Sequence, residues 1–198
     1  MALERGYKAW AERMALSLRG ELGVEPEAPV SPHSLAAHLG IELLTPAQLP
    51  GLSQDVLTQL LVNDPSGWSA VSFEIDGVPT VIYNGQNSKG RQSSDILHEF
   101  AHVIRAHEPS QLILSDSTAF AMRSYDSKQE DEANWLGWAI LLPRVALERC
   151  LELGLSNSEI AQKYVVSETL VEFRRRMTGI DRQNQWRTGR RSSVRRKP

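Results

Sequence analysis

Residues 95–104 read Asp-Ile-Leu-His-Glu-Phe-Ala-His-Val-Ile and contain the pattern H-E-x-x-H at positions 98–102. A helix turns once in 3.6 residues, so His98 and His102 share one face and their imidazoles can meet a single metal ion. Glu99 lies about 100° further round the helix, beside such an ion rather than on it. The pattern therefore predicts a helix that carries two metal ligands and a neighbouring carboxylate.

This arrangement suits metal-assisted peptide hydrolysis. One zinc ion held by two neutral imidazoles and a carboxylate keeps a position open for water and lowers the pKa of that water towards about 7. A carboxylate beside the water can accept its proton and later deliver it to a leaving amine. We therefore expect Glu99 to be the catalytic residue. The alternative is a surface helix with two solvated histidines.

The surroundings of the motif predict helix and sheet. Ser93 or Ser94 is expected to cap the helix, and apolar residues at 97, 100, 101 and 104 supply packing positions. Upstream, Asp76-Gly77 separates the β-prone runs 68–73 and 78–83, which predicts a hairpin. Pro79 favours an unpaired edge at that end of the hairpin.

A zinc ion bound by two histidines needs a third protein ligand. The longer pattern H-E-x-x-H-x-x-G-x-x-H of the metzincins requires glycine at position 105 and histidine at position 108, but the chain has Arg105 and Glu108. His107 is one place short, and helical geometry places it on the opposite side from His98. The metzincin pattern is therefore excluded.

A second helix over residues 129–142 offers carboxylates instead. Ala133 and Gly137 form a small-residue stripe where another helix can approach, and Glu130 extends that stripe by one turn. Glu132 shares a different stripe with large apolar residues. We expect Glu130 to be the third metal ligand, with Glu132 as the alternative.

Composition bounds the class of protein. The 198 residues, 23% charged and 41% hydrophobic, are typical of one globular domain. The single cysteine, Cys150, excludes an internal disulfide and a cysteine-based zinc cluster, which fits a cytoplasmic protein. The longest apolar run, residues 135–143, is too short to span a membrane, so no membrane association is expected.

Charge is distributed unevenly along the chain. Residues 174–198 contain ten Lys and Arg and one acid, a net charge of +9, whereas the preceding residues carry −11. We expect a domain over residues 1–180, followed by a basic, disordered tail over 181–198. Such a tail suggests an acidic partner, with nucleic acid as one candidate.

The two motifs together resemble a known family. H-E-F-A-H followed by E-x-E-A-N-x-L-G-x-x-I-L-L-P is similar to the ImmA/IrrE family of bacterial zinc metallo-endopeptidases, whose second motif usually reads E-x-x-A-N-x-F-A-x-x-L-L-x-P. Leu136 and Gly137 stand where the family commonly has Phe and Ala. The resemblance extends from the N-terminal helix to about Gly179.

The resemblance implies a compact α+β fold, thermolysin-like (gluzincin-type), mostly helical with a small antiparallel sheet. It also implies that the first Glu of the second motif, Glu130, is a zinc ligand. Characterised members cut a helix-turn-helix transcriptional repressor, often one encoded nearby on a mobile element or in a stress response. A repressor of this type is therefore the expected protein substrate.

Residues 155–179 have the pattern of a helix-turn-helix, with serines at helix starts and apolar residues at interior positions. This predicts an alternative function, a DNA-binding regulator that uses this segment and the basic tail. However, Glu168 and Glu172 would enter the major groove first, where phosphates would repel them, so a packing or docking role is favoured.

Stabilisation of the transition state requires further polar groups. The sequence offers four candidates for contact with the substrate or the oxyanion and does not rank them: Tyr125, Asn134, His107 and Arg174.

Overall fold

The computed structural model describes residues 3–107, 112–114, 121–123 and 126–181. Tyr125, Glu108 and the tail over 182–198 lie outside the described residues. The helices are α1 (Tyr7–Glu21), α2 (Pro32–Leu39), α3 (Gln54–Thr58), α4 (Lys89–Ile104), α5 (Ser127–Leu141), α6 (Arg144–Glu152), α7 (Asn157–Tyr164) and α8 (Glu168–Thr178). A 3-10 turn over Pro46–Gln48 precedes α3, and a π-helical turn over Gln59–Asn63 continues it. Within the described residues, no helix combines the length and the apolar character needed to cross a membrane.

The strands form two small sheets. Strands β1 (Glu42–Leu44), β2 (Ala70–Ile75) and β3 (Val78–Tyr83) are arranged in the order β1-β3-β2, and β4 (Leu112–Leu114) pairs with β5 (Ala121–Arg123). β2 and β3 are antiparallel, but β1 runs parallel to β3. The prediction of an antiparallel main sheet was therefore wrong, because α2 and β1 arrive from a separate connection rather than from a hairpin. The α+β class with a helical majority is confirmed.

The hairpin forms where the Asp-Gly pair predicted it. Asp76 and Gly77 both have positive φ, 50° and 80°, which is the backbone of a tight two-residue turn. Pro79 lies near the start of β3, which is the central strand, and β1 pairs with β3 over residues 80–82, beyond the proline. It pairs with Glu74 on one side and precedes the residues that β1 contacts on the other, so its missing N–H is tolerated.

Helix α4 begins earlier than predicted. Ser88 is the N-cap, and its Oγ accepts a hydrogen bond from the backbone N–H of Arg91 at 3.4 Å. Ser93 and Ser94, the predicted caps, lie inside the helix. Gly90 occupies the first turn because a Cβ there would meet the backbone of Val166 at 3.0 Å, so the approach of the α7–α8 connection requires a glycine.

The core is built around α4 and α5, which pack against each other with α1 on one side. Phe100, Leu97, Leu136 and Ile140 are fully buried between them. Gly137 allows the closest approach, since a Cβ at this position would lie 2.9 Å from the carbonyl oxygen of Leu97 and 3.1 Å from the backbone nitrogen of His98. The two helices therefore meet backbone to backbone beside the first histidine of the motif.

Helices α6, α7 and α8 follow as a C-terminal group. α7 and α8 are joined by three residues, and α8 buries Leu170, Val171 and Arg174 while Glu168 and Glu172 remain exposed. Phe173 packs edge-on against Trp138 with ring centroids 4.7 Å apart. α8 is therefore held on the body of the protein by one face and presents two acids on another.

We predict that Gly137→Ala destabilises the protein. Its methyl group must displace the backbone of α4, and overpacking of this kind costs about 1–3 kcal/mol, against about 1 kcal/mol gained from helix propensity. Thermal unfolding should show a lower midpoint. The matched control is Gly20→Ala in α1, where a Cβ meets nothing within 4 Å and should raise the midpoint slightly. Equal shifts in both variants would show that the helix contact is not tight.

Candidate metal centre

The candidate site lies where α4 and α5 cross. α4 supplies His98, Glu99 and His102, and α5 supplies Glu130 from its first turn. Asp126 caps α5 and accepts a hydrogen bond from the backbone N–H of Lys128 at 2.8 Å, which sets the register that points Glu130 towards α4. The close contact at Gly137 holds the two helices at the distance that this site requires.

Three side chains converge on one point. Glu130 Oε2 is 3.1 Å from His98 Nε2, Glu130 Oε1 is 3.6 Å from His102 Nε2, and the two Nε2 atoms are 3.1 Å apart. One ligand atom from each residue lies within 4.8 Å of the others. Two imidazole nitrogens and a carboxylate form a donor set that suits a divalent metal ion. Among the described residues, this is the group of three that fits an ion.

Hydrogen bonds behind the histidines orient both rings. His98 Nδ1 is 3.1 Å from Asn134 Oδ1, and His102 Nδ1 is 3.0 Å from His107 Nδ1. With Nδ1 engaged in this way, Nε2 of each ring is directed to Glu130. Asn134, one of the four candidates for contact with the substrate, lies behind His98 at this distance.

Glu132 is separated from the three converging groups. It lies two residues after Glu130, about 200° round the helix, and is 3% exposed. Its Oε2 accepts hydrogen bonds from Arg105 Nε at 3.1 Å and Arg105 Nη2 at 2.8 Å, and lies 3.4 Å from His107 Nε2. The geometry therefore favours Glu130 over Glu132 as the third ligand.

Glu99 is held by the sheet. Ser72, in β2, donates a hydrogen bond from Oγ to Glu99 Oε2 at 2.5 Å, and Glu99 is 8% exposed. Because α4 packs on β2, the carboxylate sits between the sheet and the converging ligands. Sequence reasoning missed Ser72, since a serine in a half-buried strand carries no signal that it faces a carboxylate.

The remaining candidates have different surroundings. Arg174 is fully buried, donates from Nε to the carbonyl oxygen of Leu142 at 3.1 Å and pairs with Glu12, so it serves packing between α8 and α1. His107 contacts His102, and burial lowers its pKa despite the opposing effect of Glu132. A lowered pKa favours the neutral ring, which can both accept and donate.

A helix-borne H-E-x-x-H with a carboxylate from a second helix is the arrangement of a metal-dependent peptidase. The family model described as Peptidase_M78, IrrE N-terminal-like domain, matches residues 59–176, a range that contains α4 and α5. The chain belongs to this peptidase family, which confirms the resemblance found in its motifs.

No curated protein matches the chain. Among solved structures, it is similar to a Mycobacterium tuberculosis transcriptional regulator at 15% sequence identity and a TM-score of 0.44. That match covers 85% of this chain and 46% of the regulator, so the chain spans less than half of the regulator's length.

We predict that Glu130→Gln abolishes stoichiometric metal binding, because an amide is a much weaker ligand than a carboxylate. Glu132→Gln, two residues away, should still bind about one ion per chain, because Glu132 contacts Arg105 and His107 rather than the point where the three ligands converge. Elemental analysis of the purified variants gives the stoichiometry. Loss of metal in Glu132→Gln with retention in Glu130→Gln would reverse the assignment.

Proposed function

We propose that this chain is a zinc-dependent endopeptidase that hydrolyses a peptide bond in a protein substrate. The observation that carries the proposal is the convergence of His98, His102 and Glu130 within 4.8 Å, with the Glu99 carboxylate beside them. Two histidines and one glutamate form a donor set that zinc takes in hydrolases. The single cysteine, Cys150, supports a cytoplasmic location.

Each side chain has a distinct part in the chemistry. A zinc ion bound to the three ligands would supply Lewis acidity towards water and the scissile carbonyl. Glu99 accepts a proton from the attacking water and returns it to the leaving nitrogen. Ser72 donates to Oε2 of Glu99 and so orients the carboxylate that takes the proton.

The edge of β2 offers a place for an extended substrate. The backbone N–H of Asn84 donates to the carbonyl of Ser69 at 2.8 Å, and hydrogen-bonded pairs alternate along an antiparallel ladder. With the observed register, the backbone groups of Ser72 therefore face away from β3. A peptide that adds to this edge by main-chain hydrogen bonds would pass directly beside Glu99.

The expected substrate is a helix-turn-helix repressor, a proposal that rests on the family resemblance. The rival function, DNA binding by α7 and α8, receives less support. Glu168 and Glu172 are exposed on α8, Arg174 is buried, and Arg175 pairs with Asp181 at 2.8 Å. This surface is poorly suited to phosphate, so docking or packing remains the favoured role of α8.

The central test is cleavage with and without the proposed base. The protein is co-expressed with a candidate helix-turn-helix repressor, and cleaved fragments are identified by mass spectrometry. Glu99→Gln should retain the metal but lower the cleavage rate by about 10²–10⁴, because the proton acceptor is lost while the ligands remain. The matched control is Glu25→Gln, an exposed glutamate in the α1–α2 connection, which should cut at the normal rate. Full activity in Glu99→Gln would refute the mechanism.

Removal of the hydrogen bond to Glu99 should have a smaller effect. We predict that Ser72→Ala lowers kcat about tenfold with little change in KM, since the carboxylate remains but is less well oriented. Metal content should stay at the normal level because Ser72 contacts no ligand. Steady-state kinetics on a peptide that spans the cleavage site distinguish the two parameters, and a rise in KM alone would assign Ser72 to substrate binding.

A further inference from the structure

Behind His102 lie two buried side chains, His107 and Glu132, and the partly exposed Arg105, none of which the proposed chemistry uses. His107 follows the end of α4 and its side chain is only 6% exposed. On one side its Nδ1 is 3.0 Å from His102 Nδ1, and on the other its Nε2 is 3.4 Å from Glu132 Oε2. Arg105 closes the set through its two hydrogen bonds to the same Glu132 oxygen.

The positions of the protons in this set follow from the metal ion expected at His102 and from the carboxylate of Glu132. A metal ion on His102 Nε2 requires a lone pair there, so the proton of the neutral ring is on Nδ1. That N–H can donate to His107 only if His107 Nδ1 carries no proton. The proton of a neutral His107 ring is then on Nε2. Nε2 then donates to Glu132 Oε2, the same oxygen that accepts two hydrogen bonds from Arg105. One consistent direction of donation runs from His102 to Glu132.

Helix α1 contacts the two residues of this set that lie furthest from His102, which are Arg105 and Glu132. The guanidinium of Arg105 lies over the rings of Tyr7 and Trp10, with its central carbon 5.4 and 5.0 Å from their centroids. Tyr7 also donates from its hydroxyl to the backbone carbonyl of Glu132 at 2.9 Å. α1 therefore contacts both Arg105 and Glu132, and His107 lies between Glu132 and the proposed ligand His102.

We propose that His107 is a positioning residue that fixes the tautomer and ring orientation of the metal ligand His102, with Glu132 and Arg105 as its anchor. The inference rests on the proposed metal site and deepens it. It assigns the second acid of the E-x-E-A-N run a task distinct from that of the first. Glu130 holds the ion directly, whereas Glu132 acts through two imidazoles. Outer partners of metal-bound histidines typically change metal affinity by about 10–100-fold.

Three substitutions of His107 distinguish a role in orienting His102 from a role in packing alone. Asn places its amide oxygen near the position of Nδ1, so it can still accept from His102. Gln places its amide nitrogen near the position of Nε2, so it can contact only Glu132. Leu can do neither. The exposed His38 on α2 provides the matched control as His38→Leu.

The measurement is the zinc dissociation constant of each purified full-length variant, obtained by competition with a chromophoric chelator. We expect His107→Leu and His107→Gln to bind zinc about 10–100-fold more weakly than the wild type. His107→Asn should recover most of this loss, and His38→Leu should not change the constant. Equal affinity in all three His107 variants, or recovery by Gln rather than Asn, would overturn the proposal.

A second readout addresses the protons directly. Long-range ¹H–¹⁵N correlation spectra of the zinc-loaded protein should show His102 protonated on Nδ1 and His107 protonated on Nε2. A His107 protonated on Nδ1 would contradict the inference even if affinity fell. If the wild type binds zinc with these tautomers but cuts no substrate, only the proposed function fails. If the wild type binds no zinc, both proposals fail.

Discussion

The site depends above all on the approach of two helix backbones at Gly137. A metal centre built from two helices needs their separation fixed to about 0.5 Å, and a direct contact between the two backbones sets the closest separation. The two helices cannot come closer here, because the carbonyl of Leu97 and the backbone nitrogen of His98 lie where a Cβ of residue 137 would be. The backbone of His98 therefore lies in direct contact with the helix that carries Glu130.

A second constraint concerns the two nitrogens of each imidazole. A ring with one free nitrogen can rotate or change tautomer, whereas a ring held at both nitrogens has one orientation. His98 is held by Asn134 and His102 by His107, each through Nδ1. The same helix that supplies Glu130 also supplies Asn134. α5 thus supplies both a proposed metal ligand, Glu130, and the side chain that orients His98, Asn134.

The sequence predicted the parts of this site that follow from helical periodicity. Spacing within α4 and α5 is local, so H-E-x-x-H and the small-residue stripe indicated which faces would meet, and the Asp-Gly turn indicated the hairpin. Contacts between distant segments were not predictable in this way. Nothing local indicates that Ser72 faces Glu99, and the parallel pairing of β1 depends on a connection whose path the sequence does not specify.

The start of α4 was misplaced for a related reason. Ser88, Ser93 and Ser94 are equally good caps by residue type, and only tertiary packing distinguishes them. Gly90 discourages a helix by propensity, but the α7–α8 connection requires a residue without a Cβ there. Arg174 likewise reads as an exposed cation in the sequence and proved to be buried against Glu12.

The anchoring of Glu132 by Tyr7, across 125 residues of sequence, has a consequence for the order of events during synthesis. α1 leaves the ribosome long before α5 exists, and α4 emerges with two ligands but no third. Closing such a long loop is slow compared with forming a helix. The nascent chain consequently holds an unassembled half-site until α5 arrives. The proposed site can therefore be completed only after α5 has been synthesised and can pack against α1 and α4.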